Sequence, residues 1–361
     1  MIFRTGAAII CILLAIPVCA QAEDTDAAQP KPIPVVTLPE TVDGLARTIA
    51  KGSIETFDLM TNYQKGQDIV SIYVFRATNP NAALWFDRAD QVLNYIWTGK
   101  GLGNGSEIEK FNIPGTSENV GLMRSYPLSG NIKSTALAVA EINGWIIKVR
   151  STSTVLSSQN QKNRLENVFS SIKLPATIHK SHPIIFPPEC PEINKRDKLS
   201  TLVNSEVIHQ PTTQAIMTAG LVALANARAL TGETSGLAAS PELYCRAKLN
   251  GPSFMGTLYR RTDGADKSWV ILFADSGRSI SGIELPELGK DSGGAVAAVT
   301  ADDLNRTSVV MFLKGMADPD VVFMPLAQYL AQGGGDGYTS VTYRTNQINV
   351  SLPEKDKQSG Q

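Results

Sequence analysis

Ser134–Ile142 (STALAVAEI), Asn143-Gly144 and Trp145–Ser151 (WIIKVRS) form the stretch on which the fold turns. Two strand-like runs meet at Asn-Gly, the dipeptide that best tolerates the left-handed backbone of a two-residue hairpin turn. An antiparallel pair is therefore predicted, and the neighbouring segments can be placed around it. Downstream, Ser158 and Gln161 fit a capping box ahead of Leu165, Val168, Phe169 and Ile172, which share one helical face. Upstream, Asp68–Ala77 (DIVSIYVFRA) is short, β-branched and aromatic, as a largely buried strand requires. Asn79-Pro80 then predicts a helix start, with asparagine as cap and Trp85, Ala89, Val92, Leu93 and Ile96 as one apolar stripe.

Strand, long helix, hairpin and closing helix, in that order, resemble the Mog1/PsbP-like α/β/α sandwich over about residues 40–175. The segments that carry the resemblance are DIVSIYVFRA and NGWIIKVRSTS. It implies a non-catalytic binding or assembly module. It assigns no site residue to this chain, because no motif position is shared and fold alone does not give function.

The second half follows a proline-rich stretch, Leu174 to Pro191, which holds Pro175, Pro183, Pro187, Pro188 and Pro191. Proline removes backbone donors and resists helix and central strand alike, so a linker is placed at 176–191. Pro211 to Gly232 repeats alanine at 215, 219, 223 and 227 and reads as a buried core helix; Gln214, Asn226 and Arg228 cut its apolar length below a membrane span. Strand-like runs follow at Phe254–Thr262, Ser268–Asp275, Ile280–Leu285, Ala295–Thr300 and Thr307–Leu313, which favours an antiparallel meander. Asp318-Pro319 begins a last helix, Gly333–Gly335 stops it, and Tyr338–Thr345 gives a final strand. The expected fold class is α+β, with two domains (40–175 and 192–353), each a largely antiparallel sheet packed with helices.

The ends of the chain speak to its address. Arg4, the greasy run Ile9–Val18 and Ala20-Gln21-Ala22 have the order of a secretory signal peptide, residues 1–22. A lipidated start at Cys19 would need a small residue before it, and Val18 stands there, so soluble export is expected, periplasmic or extracellular. Residues 23–39 carry Pro30, Pro32, Pro34 and Pro39 among polar residues and read as a disordered tether; 354–361 reads as a frayed tail. With 33 basic and 34 acidic residues and no block of like charge, nucleic acid is not an expected partner, nor is an anionic membrane surface.

Of four cysteines, Cys11 and Cys19 leave with the signal, and Cys190 and Cys245 remain. In an oxidising compartment such a pair most simply forms one disulfide; two buried thiols or a metal site are the alternatives, and the metal lacks partners at ligand spacing.

The apparent catalytic motifs fail on chemistry. Asp291-Ser292-Gly293-Gly294 looks like the nucleophile loop of chymotrypsin-type proteases, but Lys290 and Ala295 depart from it, and none of His179, His182 and His209 has the required context. Gly101-Leu102-Gly103-Asn104-Gly105 follows a helix, whereas a phosphate cradle opens one, so a helix stop and mobile loop are expected. His179 and His182 lack further metal ligands, and Asp318 and Asp320 suit a helix start better than calcium. Trp85, Trp97, Trp145 and Trp269 read as core or hairpin packing. No catalytic, cofactor-binding or metal-binding residue is assigned, and no cofactor is expected. The leading expectation is an exported, non-enzymatic binding or assembly module for a protein or cell-envelope component. The competing one is a secreted or periplasmic hydrolase whose site is assembled from residues distant in sequence.

Overall fold

The computed structural model describes residues 36–54, 57–77, 79–116, 119–175, 184–191, 206–207, 243–249, 255–262, 268–273, 277–284, 296–303, 306–314, 319–331, 339–344 and 347–351. Residues 1–22, most of the tether, Pro211–Gly232, Asp291–Gly294, Asp318, the three histidines and the 354–361 tail lie outside them.

Strands β1 (Thr41–Val42), β2 (Leu45–Ile54), β3 (Phe57–Lys65), β4 (Asp68–Arg76), β5 (Glu109–Phe111), β6 (Gly121–Pro127), β7 (Ser134–Ile142) and β8 (Trp145–Ser153) form one antiparallel sheet, ordered β1-β2-β3-β4-β8-β7-β6-β5. The hairpin is where the sequence puts it. Ile142 pairs with Trp145, Asn143 and Gly144 both have positive φ (51° and 79°), and the Gly144 N–H donates to Glu141 Oε1 at 2.7 Å.

Strand β7 is buried along its whole length because a helix covers each face of the sheet. Its Ala136, Ala138 and Ala140 share a core with Leu165, Val168 and Phe169 of α2 (Ser158–Ser171). Leu137 and Val139 share another with Leu84, Phe86 and Leu93 of α1 (Ala82–Trp97).

Both helix starts differ from the expected ones. Asn81, not Asn79, caps α1, its side chain accepting from the Ala83 and Leu84 N–H groups. The Asn79 carbonyl instead accepts from Trp85 Nε1, and its side chain donates to Tyr244. Ser157 caps α2, because Gln161 is drawn into the core and cannot reach back. Val36 and Leu38, in the expected tether, are buried in the α2-side core, and Thr37 exchanges backbone hydrogen bonds with Lys173.

The second antiparallel sheet contains β9 (Glu206–Val207), β10 (Tyr244–Ala247), β11 (Gly256–Arg261), β12 (Trp269–Phe273), β13 (Arg278–Glu284), β14 (Val296–Asp303), β15 (Arg306–Lys314), β16 (Thr339–Arg344) and β17 (Gln347–Ser351). From β10 to β17 it is a continuous meander, with β9 added beside β15. Helix α3 (Pro319–Ala331) covers one face through Val322, Phe323 and Leu326, packed with Leu258, Ile271 and Phe273. Gly282 is needed here for space, since a Cβ would lie 2.4 Å from the buried Trp269 ring. Gly282→Ala is expected to cost about 1 to 3 kcal/mol by overpacking, read from urea unfolding midpoints.

By content the described residues are mostly β, with two antiparallel sheets and few helices, so strand outweighs the α+β balance expected from sequence.

Each sheet comes from one continuous stretch of chain, but helix α1 touches both. Tyr259, Val270 and Leu272 of the second sheet join Leu84, Trp85, Phe86, Leu137 and Val139 in one buried cluster. The end of the expected linker packs there too: Ile184 is buried in the cluster, Phe186 sits 6.4 Å from Phe86, and Lys110 Nζ donates to the Ile184 carbonyl at 2.9 Å.

Candidate functional site

Helix α1 opens with five apolar residues in succession, Ala82-Ala83-Leu84-Trp85-Phe86, so it has no purely polar side to give to solvent. Its next turn is charged, and that turn is buried: Asp87 is 2 % exposed, Arg88 1 % and Asp90 8 %. Burying such groups costs several kcal/mol each unless partners replace water.

The partners come from both sheets. Asp87 Oδ1 is 2.5 Å from Arg246 Nη1 of β10. Asp87 Oδ2 accepts from the Tyr259 hydroxyl of β11 at 2.8 Å and from Gln91 Nε2 at 2.9 Å. Asp90 turns the other way, toward β6. Its Oδ1 accepts from the Tyr126 hydroxyl at 2.6 Å, and its Oδ2 from Arg124 Nη1 at 3.2 Å. Asn94 donates to Tyr126, Arg88 donates to Thr257 Oγ1, and Thr257 donates to Gln91 Oε1, closing the network.

The disulfide lies beside this cluster. Cys190 and Cys245 are bonded, with Cα atoms 4.8 Å apart. Cys245 is 4 % exposed: β11 pairs along one edge of β10 and the 188–190 segment lies along the other. The bond fixes the 188–190 segment along β10. The Cys190 N–H donates to the Arg246 carbonyl, the Arg246 N–H donates to the Pro188 carbonyl, and both bonds are 2.7 Å. Glu189 thereby meets the Arg246 guanidinium, which is held between Glu189 outside and Asp87 inside.

Burial pushes the Asp87 carboxyl up to about 6, helped by nearby Asp90 and opposed by Arg246, Tyr259 and Gln91. Burial raises Asp90 as well, against Tyr126 and Arg124. Tyr259 is held well above the ordinary phenol range by burial and by the Asp87 charge.

A carboxyl near 6 has the proton affinity of a general base, yet a base also needs a lone pair within reach of substrate. Each oxygen of Asp87 and Asp90 already has a protein donor, and both carboxylates are shielded from water. The arrangement can join α1 to two sheets, and burial keeps both carboxylates turned toward protein partners.

Comparison of the chain with protein-family models, with curated proteins and with solved structures finds no match.

The sequence motifs singled out for chemistry do not converge here. Asp291–Gly294, His179, His182, His209 and Asp318 fall outside the described residues, and Asp320 begins α3. The Gly101–Gly105 loop follows the end of α1 as expected, and hydrogen bonds join it and its neighbour Ser106 to β6 and the residues after it. The Gly103 N–H donates to the Pro127 carbonyl, the Ser129 N–H to the Gly101 carbonyl, and Arg124 Nε to the Ser106 carbonyl. Trp85, Trp145 and Trp269 are buried and Trp97 packs against the α1 cluster, in keeping with their packing role. Sequence reading missed Asp87, Asp90, Arg124, Arg246 and Tyr259. The one available signal was charge placed directly after an all-apolar helical turn, which marks a helix covered on several sides.

Stability should carry the imprint of Asp87. Because its folded carboxyl binds protons more tightly than the ordinary 3.8, the native chain holds a proton that the unfolded chain has lost between those values. The contribution is favourable below the unfolded value and declines as pH rises through about 6. Asp68 has the opposite sign: burial raises it, but donors from Thr154, Ser153 and Arg164 outweigh burial and lower it, so its contribution is lost as pH falls. Asp87→Asn is expected to reduce the fall in urea midpoint between about pH 4 and about pH 7 while keeping the loss at lower pH. An unchanged slope would assign the titration to other groups.

Proposed function

We propose that the chain is an exported, non-enzymatic binding or assembly module that engages a protein or envelope component. The observation that carries this reading is the commitment of both buried carboxylates, Asp87 and Asp90, to protein donors. Among the described residues, these two carboxylates are spent on holding α1. The Cys190–Cys245 bond supports export, since such bonds persist in oxidising compartments. No helix among the described residues is long and apolar enough to cross a membrane.

The placement of α1 and α2 on opposite faces of the first sheet supports the Mog1/PsbP-like reading of residues 40–175, and with it an α+β grouping for that segment. At the C-terminal end of α1, Tyr95 and Ile96 expose 51 % and 40 % of their surface, although Ile96 belongs to the apolar stripe read from sequence. These side chains give the module a place to be probed.

The experiment is photo-crosslinking in intact cells through a benzoylphenylalanine at position 96, joined to N-terminal sequencing of the mature chain. Processing after Ala22 and one discrete adduct with an envelope component are expected. A mature chain starting at Cys19 with lipid would overturn soluble export. Hydrolysis of ester, glycoside or phosphate substrates by the purified mature chain, with no adduct, would overturn the binding role.

A further inference from the structure

Beneath α2 lies a second buried polar group of residues, independent of the α1 cluster. Gln161, Ser134, Ser151 and Ser153 are fully buried, Arg164 is 6 % exposed and Asp68 7 %. Most of their capacity is used. Arg164 Nε donates to Asp43 at 2.8 Å and its Nη2 to Asp68 at 3.2 Å. Ser153 donates to Asp68 Oδ2 at 2.9 Å. Ser134 donates to the Leu156 carbonyl at 2.6 Å and accepts from Gln161 Nε2 at 3.0 Å.

Those last two bonds fix the Gln161 amide. Since the Ser134 proton is committed to Leu156, Ser134 Oγ can only accept, and the amide must present its nitrogen to it. The Gln161 oxygen therefore faces the other way.

Three buried atoms of this group have no hydrogen-bond partner among the described residues: Gln161 Oε1, Arg164 Nη1 and Ser151 Oγ. The elements that carry them, α2 and β8, pack against each other. Gln161 and Arg164 are three apart on α2 and so lie on the same face of that helix. Ser151 and Ser153 are two apart on β8 and so face the same way, toward the core that holds Val149, Leu165 and Val168. Ser153 is paired with Ser134 across the sheet and bonded to Asp68, the two residues that Gln161 and Arg164 grip.

We infer that Gln161, Arg164 and Ser151 hold one ordered internal water between α2 and β8. The donor set selects this ligand. Arg164 Nη1 can only donate, Gln161 Oε1 can only accept, and a serine hydroxyl can do either, which matches a molecule that accepts once and donates twice. A cation is opposed by Arg164, and an anion by the Gln161 oxygen and nearby Asp68. Buried waters with about three polar partners of this kind are regular components of folded proteins.

The test is a crystal structure of the mature chain at about 1.5 Å, with oxygen-17 relaxation dispersion of the same protein and of Gln161→Met and Ser151→Ala. A single density peak within about 3.2 Å of Gln161 Oε1, Arg164 Nη1 and Ser151 Oγ is expected. The dispersion amplitude should drop by the equivalent of one long-lived water in Gln161→Met. Ser151→Ala, the milder change, should shorten the water's residence time if Gln161→Met does not fold. Direct bonds from these atoms to other protein groups with no peak between them would overturn the assignment, as would dispersion unaltered in Ser151→Ala.

Discussion

Tyr259→Ala is expected to destabilise the protein by about 3 to 5 kcal/mol, the range for removing a buried aromatic ring from a packed core. Tyr259 is fully buried in the cluster shared by both sheets and α1. Truncation removes that ring and also the hydroxyl that lies 2.8 Å from Asp87 Oδ2 and 3.1 Å from the Leu84 carbonyl. Tyr259→Phe separates the two contributions. It keeps the ring and removes the one hydroxyl proton those two acceptors share, while Gln91 still donates to Asp87 Oδ2, so a smaller loss of about 1 to 3 kcal/mol is expected. Urea unfolding of both variants at neutral pH gives the comparison. If phenylalanine costs as much as alanine, the hydroxyl and not the packing dominates the joint.

Reduction of Cys190–Cys245 is expected to cost about 2 to 4 kcal/mol, since the bond closes a loop across a sequence separation of 55 residues. The effect should not stop at the second sheet. Cys245 precedes Arg246, and Cys190 follows Glu189, so the bond keeps both the guanidinium and its outer partner in place beside Asp87. Cys190→Ser with Cys245→Ser should therefore speed amide hydrogen exchange in α1 as well as in β10. Exchange changes confined to β10 would mean that Arg246 keeps its position without the bond.

Local signals read best from the sequence. The Asn143-Gly144 turn needs two positive φ values and little else, and the strand runs from Gly256 to Lys314 are separated by turn residues that leave few ways to connect them. Strands β2 and β3 were not foreseen. Thr48, Lys51, Asn62 and Gln64 interrupt their apolar pattern, and their pairing is set by partners on β4 rather than by their own composition. The joint was hidden for a related reason. Asp87 and Arg246 are 159 residues apart, and nothing local distinguishes Arg246 from a surface arginine. Charge on α1 reads as a solvated face until the second sheet is known to lie over it. The caps shifted because Asn79 and Gln161, adequate caps by type, found tertiary partners in Tyr244 and Ser134.

The most direct test of α1 as a joint uses the chain nicked between residues 176 and 183, within the stretch expected from sequence to be a linker. Cys190 and Cys245 both lie on the C-terminal side of that nick, so the disulfide cannot hold the two fragments together. Among the described residues, association rests on α1, Tyr259, Val270, Leu272 and the Asp87–Arg246 pair, joined by Ile184 and Phe186 and by the bonds of Asn79 to Tyr244, Lys110 to the Ile184 carbonyl, and Arg88 and Gln91 to Thr257. Gel filtration of the nicked, unreduced protein should give one peak containing both fragments, and Tyr259→Ala should shift part of it to two smaller species. Two separate folded fragments from the unmodified sequence would contradict the account.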